Sequence, residues 1–164
     1  MKKPLIYTLI GIVGIFIIAF IYFNTYETTP VMKNVENIHL EFLNIDENGK
    51  FSDPNDRTKR KVTDPADKDF LITFFNNEFK IGLFACDCPH GDIIITFEAD
   101  NKQYVFELAV GVRGDPNIYY CNAGNHCDYA DEQLAELLAF FSKFDETANY
   151  NLDFFIGTLS DTSH

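Results

Sequence analysis

All four cysteines of this chain fall in two short stretches, "CDCPHG" over 86–91 and "CNAGNHC" over 121–127, with two of its four histidines. Three chemistries could use such a set. Cys86, Cys88, His90, Cys121, His126 and Cys127 offer thiolate and imidazole ligands for zinc or copper(I). The spacing is unusual for zinc ribbons, which separate paired ligands by two to four residues. Here one gap is a single residue and the other is five. A nucleophile with its base is the second chemistry, Cys86 or Cys88 with His126. It requires a thiol that stays reduced.

The third chemistry is a pair of disulfides, the expected fate of four cysteines in an oxidising compartment. Three connectivities exist. A bridge inside Cys86-x-Cys88 is geometrically strained. The sequence therefore favours two bridges joining Cys86 and Cys88 to Cys121 and Cys127. Closing so long a loop restrains the unfolded chain by roughly 4 kcal/mol. Loops tied down in this way form a rigid binding surface, and residues 86–92 and 111–129 supply its chemistry. They carry Asp87, Asp92, Asp115 and Asp128 beside Tyr119, Tyr120 and Tyr129. Aromatic side chains ringed by charge are common anchors of protein interfaces.

The compartment is read from the N-terminus. After Lys2 and Lys3, residues 5–23 carry no charge, enough for a helix of about 28 Å against a hydrocarbon layer of ~30 Å. No small-residue cleavage site follows, as a signal peptide would need. The expectation is an uncleaved anchor over 1–23 in the inner (cytoplasmic) membrane. The positive N-terminus would stay inside, and the rest would be periplasmic or extracellular. Residues 24–35 read as a stalk, and 36–164 as one outward-facing domain.

Elements must then position the two cysteine stretches. Ile38, Leu40 and Phe42 alternate as a half-buried strand does. Residues 46–61, rich in turn formers and ending in "RTKRK", read as a long surface connection. Asp64 can cap a helix whose first residue is Pro65, with Phe70, Leu71, Phe74 and Phe75 on one face. Strands follow over 78–86, 92–100 and 103–110, the last two as a hairpin, with a short fourth over 118–121. A second helix is expected from Asp131, with Leu134, Leu137, Leu138 and Phe141 buried. The apolar tail after Tyr150 should dock as an edge strand or a helical turn. The expected class is α+β: a transmembrane helix, then an antiparallel sheet of about four to five strands with two helices. With 17 Phe and no Trp, its core should rest on Phe, Leu and Ile.

The chain has 25 acidic and 13 basic residues, a net charge of −12. That sign disfavours nucleic acid and favours a basic protein partner. No His-Glu-x-x-His, Gly-x-Ser-x-Gly or phosphate-loop motif occurs. The sequence thus points to a non-enzymatic, membrane-anchored periplasmic binding protein without a cofactor. An immunity or inhibitor protein that neutralises a toxin or effector fits best. The alternatives are a zinc- or copper-binding envelope protein and an adaptor subunit of an envelope complex.

Overall fold

Asp64 caps the first helix as its position before Pro65 suggests, its carboxylate accepting the N–H groups of Ala66 and Asp67 at 2.9 and 3.1 Å. The computed structural model describes residues 12–16, 28–51, 53–77, 79–85, 91–110, 117–121, 125–128 and 131–161. Among the described residues seven strands form one sheet: β1 (Val35–Leu43), β2 (Arg57–Lys61), β3 (Lys80–Ala85), β4 (Ile93–Ala99), β5 (Lys102–Ala109), β6 (Asn117–Tyr120) and β7 (Asn125–Asp128). Their order is β2-β1-β4-β5-β6-β7-β3, with every neighbouring pair antiparallel. After the helical residues 12–16, the helices are α1 (Pro65–Phe75), α2 (Asp131–Phe141) and α3 (Leu152–Asp161), with a 3₁₀ turn at Asp145–Thr147.

The domain is α+β with an antiparallel sheet, and the expected count of about four to five strands and two helices is corrected. Two strands lie where the sequence reads as loop. β2 is the "RTKRK" run, an edge strand whose cations discourage pairing with another chain. β7 is "NHCD", which has no apolar alternation and is held by its neighbours, Tyr119 pairing with His126 and Ile81 with Cys127. The apolar tail forms a third helix rather than a turn.

The membrane-spanning helix is also corrected. Among the described residues no helix is long and apolar enough to cross a membrane. Of 5–23, residues 12–16 are described, and they are helical. The rest of that stretch lies outside the described residues. Single-pass anchoring in an inner membrane is not supported, and neither is the periplasmic or extracellular placement derived from it.

The described part of 24–35 lies against the domain. Thr29 N–H donates to the Phe79 carbonyl at 2.8 Å. The Asn76 amide at the end of α1 both accepts from Met32 N–H (2.7 Å) and donates to the Met32 carbonyl (3.1 Å). Thr29 and Met32 are buried as a result.

One face of the sheet carries the core. Phe75 of α1 seats on β4 and β5, with ring centroids 5.4 Å from Phe97 and 4.4 Å from Phe106. Phe42 of β1 meets Phe141 of α2 at 6.2 Å and Phe144 at 5.7 Å. Leu134, Leu137, Leu138 and Phe141 are buried, as the helical spacing implies. Edge-to-face rings of this kind contribute beyond the area they bury, and they fill the core without a tryptophan. On the opposite face Asn37, His39, Glu41, Ile94, Thr96, Glu98 and Val105 remain half-exposed.

Candidate functional site

The stems of the two loops singled out by sequence meet at one corner of the sheet, and two buried carboxylates hold them. Glu107 of β5 accepts the N–H of Gly91 at 2.6 Å. Asp92 accepts the N–H of Val110 at 2.8 Å. The first bond fixes the residue that follows loop 86–90, and the second fixes the residue that precedes loop 111–116. Glu107 is 8% exposed and Asp92 is fully buried. A charge-assisted bond from a main-chain N–H offsets part of the hydration that each carboxylate loses.

Two side chains close the corner from above. Arg57 of β2 crosses the end of β1 and donates to the carbonyls of Gly91 (2.7 Å) and Asp92 (3.3 Å). Tyr150 donates its hydroxyl to the Leu43 carbonyl at 2.7 Å, with the Asp92 carbonyl 3.3 Å away. Gly91 is required by space. A Cβ there would stand 2.7 Å from Glu107 Cβ and 3.0 Å from Leu108 N. Sequence reasoning missed Arg57, Gly91, Glu107 and Tyr150. Glu107 alternates onto the polar face of β5, and nothing local marks it as buried. Arg57 was hidden in a run of cations read as solvated.

The expected binding surface changes accordingly. Asp92 is buried in this corner, and Tyr120 is 7% exposed, its ring 5.0 Å from that of Phe106 in the core. Neither offers surface to a partner. Tyr119 and Asp128 lie in β6 and β7, paired with His126 and Lys80. Asp87, Asp115 and Tyr129 lie outside the described residues.

The disulfide framework is corrected too. Cys121 is a thiol in no disulfide. All three ways of pairing four cysteines use Cys121, so none of the two-bridge patterns stands. The register also sets Cys121 apart from Cys127. Cys121 follows β6 and donates its N–H to the Val105 carbonyl of β5 at 2.9 Å, whereas Cys127 pairs with Ile81 of β3, on the other side of β6. Cys86, Cys88 and His90 lie outside the described residues, and His126 and Cys127 are placed only by strand register. Among the described residues no three His, Cys, Asp or Glu side chains gather as a metal site.

A second feature lies on the helical layer. Phe70 of α1 stacks on Phe140 of α2 at 4.4 Å with planes 9° apart, and on Phe74 at 6.0 Å. Asp69, Phe70, Thr73, Phe74 and Asn77 line a groove there with Glu136 of α2. Nearby, Lys143 pairs with Asp67 and stands 4.0 Å above the Phe140 ring.

Among titrating groups, Asp46 is drawn below the ordinary carboxyl value of 3.8. The main-chain N–H of Lys50 is the largest cause, followed by that of Asn48. Both donate to the same carboxylate oxygen at 2.9 Å. That pattern closes the turn between β1 and β2, and it serves the fold rather than a reaction.

No family model, curated protein or solved structure matches this chain.

Proposed function

We propose that this chain is a binding protein that acts on a basic protein partner, without catalysis. The narrower form of the reading is an inhibitor that neutralises a toxin or effector. The observation that carries it is the net charge of −12 on the chain, whose described carboxylates are mostly exposed: Asp53, Asp64, Asp69, Asp100, Glu132, Glu136, Asp145 and Asp153 among them. A field of that sign steers a cationic partner to encounter and disfavours acidic ones. The two buried carboxylates support the same reading, since each is engaged by a main-chain N–H and serves loop geometry. The adaptor reading needs a membrane span and is not carried forward.

The test is capture on the immobilised full chain from the cells that make it, followed by association kinetics with the purified partner. The expected result is a basic protein whose association rate falls at least tenfold as salt rises from about 50 to about 500 mM. A neutral or acidic partner with salt-independent association overturns the reading.

A further inference from the structure

The groove between α1 and α2 is built from the same chemistry as the pocket its neighbour Lys143 occupies. We infer that it receives the side chain of an arginine from the basic partner; this rests on the binding-protein reading above. Lys143 shows what a cation does on this pair of helices. Its ammonium lies over the rings of Phe140 and Phe144, 4.0 and 5.4 Å from their centroids, and pairs with the carboxylate of Asp67 on α1. It thus bridges both helices through one charge and two aromatic faces.

The groove offers a similar set. Phe70, half-buried, supplies aromatic surface above the buried Phe74, and Asp69 and Glu136 supply carboxylates from the two helices. Phe70 stacks directly on the Phe140 ring that Lys143 covers, so groove and lysine pocket share one aromatic stack. What the groove lacks is the cation. None of its lining residues is Lys or Arg. Asp69 and Glu136 are exposed and make no hydrogen bond or ion pair among the described residues.

Two exposed acids beside a half-buried aromatic ring, without a cation, fit a cationic side chain. Between the two available, the groove fits arginine better. A guanidinium is planar, stacks on a ring and can address two carboxylates at once, and it sheds water more readily than an ammonium. Thr73 and Asn77 add polar groups at the groove for its remaining N–H donors.

The experiment uses the full chain, with amide NMR spectra recorded during titration with N-acetyl-arginine methylamide. The lysine analogue and the uncharged norleucine analogue serve as comparisons. Shifts are expected at Asp69, Thr73, Asn77 and Glu136, strongest for arginine and absent for norleucine. The double variant Asp69→Asn, Glu136→Gln should bind the arginine probe roughly five- to tenfold more weakly. Both positions are exposed, so its unfolding midpoint should match that of the parent chain and exclude a folding defect. Shifts scattered over the surface, or an unchanged probe affinity in the variant, overturn the groove. The same variant separates the two readings. A captured basic partner that binds it as tightly as the parent, still with salt-dependent association, leaves the binding function standing and removes the groove. Arginine binding in the groove with no basic partner captured supports the groove and removes the function.

Discussion

Gly91→Ala tests the carboxylate corner most directly. The new methyl would lie 2.7 Å from Glu107 Cβ, 3.0 Å from Leu108 N and 3.1 Å from Leu108 O. Carbon atoms in a packed interior prefer about 3.5–4.0 Å, so the overlap approaches 1 Å. Two of the three obstructing atoms are backbone of β5, which cannot rotate away. Relief requires the start of β4 to lift from β5 where Ile93 pairs with Leu108. Overpacking of this kind costs about 1–3 kcal/mol. Lifting also stretches the 2.6 Å bond from Gly91 N–H to the buried Glu107 carboxylate. Losing a hydrogen bond to a charged group costs about 1.5–3 kcal/mol more. The sum, roughly 2.5–6 kcal/mol, is a large part of the ~5–15 kcal/mol that holds a domain folded. In a chain of this length Tm should fall by about 5–24 °C. Urea unfolding followed by circular dichroism measures it, with an unchanged slope showing that the unfolded state is not the cause. A midpoint shift equivalent to less than about 0.5 kcal/mol would refute the steric argument.

Further outcomes follow from the same geometry. Tyr150→Phe removes the hydroxyl that reaches the Leu43 carbonyl at 2.7 Å, and should cost about 1–2 kcal/mol; a neutral result would mean water takes its place. Gly157→Ala in α3 meets no atom within 4 Å and should stabilise by about 0.5–1 kcal/mol, and destabilisation would contradict that open space. Iodoacetamide without reductant should label Cys121, whereas protection lifted only by reduction would restore a disulfide. Asp46 should titrate below 3.8, because its charged form accepts two N–H bonds that its neutral form weakens. Its contribution to the turn is then complete above the ordinary carboxyl range and is lost as pH falls through the depressed value. An NMR midpoint at or above 3.8 would remove it.

Much of this fold was legible where burial and local signals agree. Asp64-Pro65 announced α1, the Leu134–Phe141 spacing announced α2, and the alternation of Ile93–Ala99 and Lys102–Ala109 announced the central hairpin. β2 and β7 were not legible: β2 is a cationic edge strand, and β7, an interior strand between β6 and β3, has no apolar alternation to mark it. That omission propagated to the site. Without β2 there is no Arg57 to cover Asp92, so an acid beside a loop reads as surface. The four cysteines misled by proximity in sequence, since Cys121 bonds toward β5 and Cys127 toward β3. Phe70 and Phe74 were correctly placed on the inner face of α1. That Phe70 closes against Phe140 and leaves a groove depends on how two helices meet, which no local pattern encodes.

The strand order has a kinetic consequence. β4 to β7 form a run of neighbours that can pair as each emerges during synthesis. β1 and β3 cannot. Ile38 must wait for Phe97, and Ile81 for Cys127 near the far end of the sheet. Until then two strands rich in Ile, Leu and Phe are without their central partners. Pairings so distant in sequence slow folding, and waiting strands invite association between nascent chains. The cationic hairpin strand that pairs early with β1 covers one side of it in the interval, so "RTKRK" guards the chain while it is being made as well as the edge of the finished sheet.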